Sequence, residues 1–386
     1  MLPRTLSVLS LLALLSTGCV SVGPKTIPHA RYDYNEAVTR SFKEQLLLNL
    51  VRLRYRDVPL FLEVGSIVAQ YELAGGVAAS SDLEGGGSLG AGFDVSESPT
   101  ITYLPLSGEE FARRLLTPMS PATLVRLSQS GWSIERILLC CVHQVGPLRN
   151  APSAAGPTPT RAPDFERFHE LAAALRELQA AGLLEAELVA PPEPAGGKEG
   201  GETETPSSIL LYLYPDRPSC RVEPERPSRE VPAAWLRVAD LLGLPADRRG
   251  EGAVLLTARE TTDTGCPAVP HAPISGRSLL ATLFYLSQAV ETPAEHRERA
   301  WVTDTLDAAG APFDWSRVTG RLLRIGTSGE RPEQAYAAVR YRGRWFYVDE
   351  SWADSKSTFI LLTYLFALQD TGDAGQGPLL TITSGG

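Results

Sequence analysis

The stretch RWFYVDESWADSKS, residues 344–357, concentrates aromatic rings and carboxylates of the kinds that bind sugars. An aromatic ring offers an apolar face on which a sugar can stack, and polar groups at its edge accept hydrogen bonds from hydroxyls. The candidate glycan-binding residues are Trp345, Tyr347, Trp352, Asp349 and Asp354.

The alternation along the same strand favours a different interpretation. Apolar and basic residues occupy alternate positions. The apolar set is Val339, Tyr341, Trp345 and Tyr347, and the basic set is Arg340, Arg342 and Arg344. A strand with this pattern buries its apolar face and leaves its charges in water. The carboxylates would then end the strand and cap the next helix. We therefore expect the aromatic residues in the core, with glycan binding as the alternative.

Residues that could act as nucleophiles or metal ligands do not have the spacings that their chemistry needs. A serine on a nucleophile elbow requires GxSxG, which neither GRS at Gly276 nor GTSG at Gly326 fits. His169 and Glu170 lack the second histidine of HExxH, and no Cys/His spacing typical of zinc is present. The sequence therefore predicts no enzyme, no cofactor and no metal.

Four cysteines follow residue 19. In an oxidising compartment Cys220 and Cys266 can form a disulfide. The adjacent Cys140 and Cys141 lie in ILLCCVHQV, an apolar run typical of a buried strand. We expect them as small core residues, because a thiol beside a core histidine such as His143 is commoner than a catalytic dyad.

The first nineteen residues have the organisation of an export signal. Arg4 precedes the apolar run 6–15, and the run leads into Leu15, Ser16, Thr17, Gly18 and Cys19. The run is far shorter than the ~20 residues of a membrane-spanning helix, so cleavage is expected. The segment resembles the lipobox of bacterial lipoproteins, which implies removal of residues 1–18 and lipidation of Cys19. Val20, in place of aspartate, implies transport to the outer membrane. An ordinary signal with an incidental cysteine is the alternative.

Length and charge limit the classes of protein. The 386 residues, 43% of them hydrophobic, suffice for one large or two ordinary domains. The net charge of −9 argues against nucleic acid, because phosphate binding needs a basic surface. Residues 19–31 are expected to form a lipidated tether. The predicted partners are the membrane, through the lipid on Cys19, and other envelope proteins or further copies of the chain.

The strongest predicted helix covers residues 33–56. Its apolar residues recur at spacings of three and four: Tyr34, Val38, Phe42, Leu46, Leu50 and Leu53. The stretch YNEAVTRSFKEQLLLNLVRLRYRDVPLFLEV, with SKSTFILLTYLFALQ and PLLTIT near the end, resembles a family of uncharacterised bacterial envelope lipoproteins. The resemblance implies an envelope lipoprotein and brings neither an activity nor catalytic residues.

A long hairpin rich in Gly, Ala and Ser is predicted over residues 66–104. Both arms alternate apolar with polar residues, and glycines 85–87 supply the turn. Each arm exceeds the ~9–11 residues that a strand needs to cross a bilayer. One hairpin would leave backbone groups unpaired in lipid, but several copies could close a barrel. We favour the alternatives, which are a projecting arm that docks on a partner or sister subunit, or a loop.

The pattern as a whole predicts an α+β fold of mixed helices and antiparallel strands in two subdomains. An N-terminal α/β domain, 32–147, carries the hairpin, and a Pro/Ala-rich linker covers 148–163. The C-terminal α+β domain, 164–386, opens with a helix predicted over 164–188 and contains a low-complexity loop at 190–208. A hairpin with its turn at Arg342 and Gly343 is predicted over 335–348.

The sequence therefore predicts an outer-membrane-anchored lipoprotein on the periplasmic side. It would act as a structural or assembly component of an envelope complex, with the hairpin 66–104 as the element through which it could oligomerise. The alternative is a glycan-binding or cell-wall-acting protein that uses residues 344–357.

Overall fold

Ten helices and fourteen strands are present in the residues that the structure, a computed structural model, describes: 22–68, 71–81, 87–97, 99–152, 162–189, 208–220, 230–258, 266–369 and 380–383. The helices are α1 (Val22–Arg54), α2 (Glu109–Leu116), α3 (Pro121–Gln129), α4 (Ile134–Cys141), α5 (Glu166–Ala180), α6 (Ala233–Leu241), α7 (Leu279–Ser287), α8 (Ala294–Glu298), α9 (Ser316–Thr319) and α10 (Ala353–Gln369). The strands are β1 (Leu62–Val68), β2 (Tyr71–Ser81), β3 (Gly87–Glu97), β4 (Thr100–Pro105), β5 (Val142–Val145), β6 (Leu148–Arg149), β7 (Leu184–Val189), β8 (Ser208–Leu213), β9 (Ala253–Thr257), β10 (His271–Gly276), β11 (Gly326–Ser328), β12 (Ala335–Tyr341), β13 (Arg344–Asp349) and β14 (Leu380–Thr383). The predicted α+β class is confirmed. The chain divides into two units, Met1–Gln45 and Leu46–Gly386.

In the first unit the chain is helical from Val22 onward, where the sequence predicts a tether over residues 19–31. Pro24 lies in the first turn of α1, where a backbone N–H has no partner within the helix, so this proline does not prevent helix formation. Arg40 and Glu36 form an ion pair one turn apart, with 2.9 Å between Nη2 and Oε1. Cys19 lies outside the described residues.

In the second unit the remainder of α1 is deeply buried. The buried residues are Leu46, Leu47, Leu50, Val51 and Leu53. They follow the spacing of three and four that the sequence predicts for an amphipathic helix. After the helix ends, Arg56 has a φ of 61° and turns the chain. The side chain of Asn49 fixes the segment that follows the helix. It donates to Leu60 O at 2.7 Å and accepts from Leu60 N at 3.0 Å.

The centre of the second unit is a six-stranded sheet with the order β6-β5-β10-β9-β8-β7. Neighbouring strands are antiparallel except β9 and β10, which are parallel. Every residue of β8 and β9 is buried, as expected for strands covered on both faces. Residues of α3, α4 and α5, among them Leu124, Ile137 and Leu171, line an apolar cavity of about 30 Å³ against this sheet. That is room for about one water molecule.

The six-stranded sheet joins strands from both sides of the predicted linker. β5 pairs with β6 on one side and with β10, from the predicted C-terminal domain, on the other. Asn150, within the predicted linker, is buried and donates to the carbonyls of Leu139 and Val142 at 2.9 Å each. Arg277, just after β10, donates to the carbonyls of Leu139 and Ala151. The sheet therefore spans the boundary predicted at 148–163, of which residues 153–161 lie outside the described residues.

The apolar periodicity after residue 164 predicts one helix over 164–188, but the structure has a helix and a strand. Helix α5 ends at Ala180, and Gly182 has a φ of 66°, which favours glycine. The chain then forms β7, which pairs antiparallel with β8. The segment LEAELV alternates as a strand does, and pairing with a distant strand overrides its helical propensity.

The predicted hairpin is present and begins four residues earlier than predicted, at Leu62. β1 pairs with β4, and β14 covers the other edge of β4, giving the order β1-β4-β14. β2 and β3 continue the two arms and pair without a break over eleven residue pairs, from Tyr71↔Glu97 to Ser81↔Gly87. At 3.3 Å per residue this ladder is roughly 36 Å long. Gly85 and Gly86 of the predicted turn lie outside the described residues.

The predicted disulfide between Cys220 and Cys266 is confirmed. Cys140 and Cys141 are buried free thiols, as expected, but they end helix α4, and the strand begins only at Val142. None of the helices in the described part of the chain has both the length and the hydrophobicity needed to span a membrane.

Candidate functional site

A three-stranded sheet with the order β11-β13-β12 carries the candidate glycan-binding residues. β12 and β13 form a hairpin whose two turn residues, Arg342 and Gly343, both have positive φ, 46° and 86°. A two-residue turn with positive φ at both positions fits the right-handed twist of the flanking strands. The sequence predicts the turn at these two residues. β11 pairs with the other edge of β13, so β13 is the central strand.

The buried face of this sheet is the one that carries Phe346 and Val348, both fully buried. Phe346 packs edge-on against Tyr55, with ring centroids 6.0 Å apart. Trp345 and Tyr347 have the opposite parity and are half-buried. Their predicted position in the core is therefore wrong. Residues 345–348 are all apolar or aromatic. Alternation assigns them to the two faces of the strand, but it does not show which face is buried.

One half of the outer face is a stack of three side chains. Tyr347 and Trp352 stack with centroids 5.7 Å apart and an angle of 26° between their planes. The guanidinium carbon of Arg324 lies 4.4 Å from the Trp352 ring centroid. A Cβ at Gly326 would lie only 2.9 Å from Cζ of Tyr347, so the glycine lets this ring lie close to β11.

The other half of the outer face is centred on Trp345. The guanidinium carbon of Arg331 lies 5.4 Å from the Trp345 ring centroid. Directly opposite Trp345 in the ladder are Ser328 on β11 and Arg340 on β12. Residues directly opposite one another share a face, so Arg340, which is exposed, belongs to this surface.

The two candidate carboxylates have different surroundings. Asp349 ends β13 and accepts hydrogen bonds from the hydroxyl of Ser351 at 2.5 Å and its backbone N–H at 2.9 Å. These bonds, and to a smaller extent the charge of Arg324, lower the pKa of Asp349. Asp354 lies in the first turn of α10 and pairs with Arg136 at 2.6 Å. The structure therefore brings Asp349 to the aromatic residues and engages Asp354 with another element.

The three arginines of the outer face have no carboxylate partner among the described residues. No carboxylate oxygen there lies within 4.0 Å of the guanidinium nitrogens of Arg324, Arg331 or Arg340. By contrast, Arg344 pairs with Glu295 at 3.3 Å. The sequence predicts only that Arg340 faces water. Arg324 and Arg331 come from other segments, and no local spacing connects them to the strand.

Two further features of the described residues carry reactive side chains, Cys266 and the pair of Tyr55 with His296, and neither is open to a substrate. Cys266 is oxidised in the disulfide, and no group of three or more His, Cys, Asp or Glu there could hold a metal. Tyr55 Oη and His296 Nδ1 lie 2.5 Å apart, but both residues are buried. Burial raises the pKa of Tyr55 to about 12 and lowers the pKa of His296. Both groups are thus neutral and closed to a substrate.

The hairpin β2–β3 and the outer face of the β11-β13-β12 sheet are two features of the described residues that could serve a function. Comparisons of the chain with protein-family models, with curated proteins and with solved structures find no match.

Proposed function

We propose that the protein is a lipid-anchored scaffold on the periplasmic side of the outer membrane, and that it self-associates through the β2–β3 hairpin. The observation that carries the proposal is the open edge on each side of this hairpin. Within the described residues, β2 and β3 pair only with each other. β14 pairs with β4 and ends opposite Thr100, so it does not cover the edge of β3.

An open edge presents unpaired backbone N–H and C=O groups and is a template for another strand. Proteins that must stay monomeric protect such edges with lysine, proline or bulges. The segments YELAGGVAASS and GSLGAGFDVSE contain no lysine, arginine or proline, and their ladder has no bulge. Apart from its acidic residues Glu72, Asp94 and Glu97, the hairpin carries none of these protections.

Copies related by rotation would pair β2 of one subunit with β3 of the next. The pairing would be antiparallel, because β2 and β3 are antiparallel within each hairpin and rotation keeps their directions. A closed ring leaves no free edge, whereas an open array would leave one at each end. A ring of defined subunit number is therefore the expected assembly.

A photo-crosslinking amino acid in place of Leu73 tests this pairing directly. Unlabelled protein carrying the crosslinker is mixed with ¹⁵N-labelled protein that lacks it, and the products are identified by mass spectrometry. We expect crosslinks from position 73 to the labelled 87–97 segment of another copy. Crosslinks confined to the copy that carries the probe would contradict self-association.

The lipid anchor rests on the export signal and on the resemblance of residues 15–19 to a lipobox. Cells grown with radiolabelled palmitate should incorporate label into the wild-type protein and none into Cys19→Ser. Equal labelling of both proteins would reject Cys19 as the anchor.

A further inference from the structure

We propose that the outer face of the β11-β13-β12 sheet binds an acidic glycan through Arg324, Arg331 and Arg340. This inference is independent of assembly through the hairpin, because it concerns a different sheet of the second unit.

The three guanidinium groups are available for a ligand. Each carries five N–H donors and a permanent charge, and none has a carboxylate within 4.0 Å in the described part of the chain. Arg324 and Arg331 lie over indole rings, at 4.4 Å from Trp352 and 5.4 Å from Trp345. Cation–π contact restricts these side chains in advance, which lowers the entropy lost when an anion binds.

The aromatic rings support the arginines and are not a free platform for sugars. Trp352 contacts both Tyr347 and Arg324, and Trp345 lies beneath Arg331. A neutral sugar that stacks needs an open ring face. Since guanidinium groups occupy these positions, the surface presents charged donors, together with the carboxylate of Asp349, whose pKa the charge of Arg324 helps to lower. A carboxylate matches their geometry, because it can accept two parallel N–H bonds from one guanidinium.

The arrangement favours an extended polymer of moderate charge density. Arg324 precedes β11, Arg331 lies between β11 and β12, and Arg340 lies in β12, so the charges are spread over three segments. A glycan with carboxylates repeated along its length can contact guanidinium groups that are spread over three segments. Exposed Glu330 and Glu333 flank Arg331 and would repel a densely charged polyanion, as would the net charge of −9.

Calorimetric titration of the full lipidated protein in mild detergent at low salt tests the proposal. The probes are polygalacturonate, which carries one carboxylate per sugar, and neutral dextran. We expect binding of polygalacturonate, weakened by salt, and none of dextran. The triple variant Arg324→Gln/Arg331→Gln/Arg340→Gln should bind roughly thirtyfold more weakly, at about threefold for each exposed charge.

Three further variants separate the arginines from general effects of charge and folding. Arg113→Gln removes an exposed arginine of α2 that pairs with Glu110, and it should leave the affinity unchanged. Glu330→Gln with Glu333→Gln should raise the affinity severalfold, because it removes negative charge next to Arg331 in the chain. Trp352→Ala should weaken binding about as much as Arg324→Gln, because it removes the ring that holds Arg324. Unchanged urea midpoints verify that the variants are folded.

Three outcomes would overturn the proposal. Equal binding of dextran and polygalacturonate, unaffected in the triple variant, would identify a stacking site for neutral sugars. Binding of glycerophosphoglycerol that the triple variant loses, without binding of polygalacturonate, would identify a lipid headgroup as the ligand. Absence of binding to every probe would leave the face without a ligand of this class.

Discussion

At the scale of single residues, Asn150 stabilises a junction whose composition predicts a linker. Its amide nitrogen donates to the carbonyls of Leu139 and Val142 at 2.9 Å each, and its oxygen accepts from the backbone N–H of Ala151 at 2.8 Å. The side chain is buried, so its removal leaves these backbone groups away from bulk water and without their partner.

Asn150→Ala should lower the free energy of unfolding by about 3 kcal/mol, because it leaves several buried backbone groups unpaired. Urea unfolding followed by circular dichroism measures the change. Arg149→Ala, at the exposed neighbouring position, is the matched control and should cost less than ~0.5 kcal/mol. Equal midpoints for the two variants would show that the Asn150 bonds do not stabilise the junction.

His169 should make stability depend on pH. Its Nε2 is buried and has no hydrogen-bond partner among the residues that the structure describes. Burial, helped by the charge of Arg321, lowers the pKa of His169 to about 4 from an ordinary 6.5. Glu135 and Glu166 oppose this shift only in part. The unfolded chain takes up a proton near pH 6.5 and the folded chain only near 4. The contribution of His169 is therefore complete above pH 6.5 and is lost as the pH falls toward 4.

His169→Gln cannot titrate, so its urea midpoint should fall less than that of the wild type between pH 7 and pH 4.5. The other histidines titrate in both proteins, and the comparison cancels their effect. Parallel losses in the two proteins would exclude His169 as a source of acid sensitivity.

The outer face of the β11-β13-β12 sheet shows how far the sequence can predict a site. Trp345, Tyr347 and Trp352 can be identified from the sequence because all three lie in one short stretch, which contains β13 and leads into α10. Which parity is buried depends on Tyr55, nearly 300 residues earlier in the chain, and so does not follow from the strand's own pattern. The same holds for Arg324 and Arg331, which tertiary structure alone brings to the indole rings.

At the scale of elements, local pairing is predictable and distant pairing is not. The hairpins at 66–104 and 335–348 follow from alternation and turn residues that are adjacent in sequence. By contrast, residues 184–189 form a strand because they pair with β8, beyond a segment of low complexity. The junction of β5 with β10 likewise joins residues about 130 positions apart, across a stretch that composition marks as a linker.

The disulfide between Cys220 and Cys266 closes a loop with a sequence separation of 46. Loop-closure entropy gives a contribution of about 4 kcal/mol to stability at this length. The variant Cys220→Ser with Cys266→Ser should therefore unfold at a lower urea concentration than the oxidised wild type. Reduced wild type is the control and should match the variant. Equal midpoints for the oxidised wild type and the variant would exclude a stabilising role for the disulfide.

At the scale of the whole molecule, we propose that two surfaces of the second unit have separate roles. The six-stranded sheet lies at its centre, while the β2–β3 hairpin and the arginine-bearing sheet face are the surfaces proposed to bind partners. β14, close to the end of the chain, pairs with β4 and completes the base from which the hairpin extends. Within the described residues, β2 and β3 pair with each other along their whole length, and the outer edge of each strand stays unpaired in one copy.

Self-association through the hairpin is tested most directly by the mass of the lipidated protein in mild detergent, measured by light scattering after size exclusion. The comparison is a variant in which residues 75–93 are replaced by an Asn-Gly turn. Ala74 and Asp94, which are paired in the ladder, then remain opposite each other, and the base of the hairpin is kept. We predict a discrete multi-subunit mass for the full protein and the mass of one subunit for the variant. Monomers in both cases, or the same oligomer in both, would contradict assembly through the hairpin.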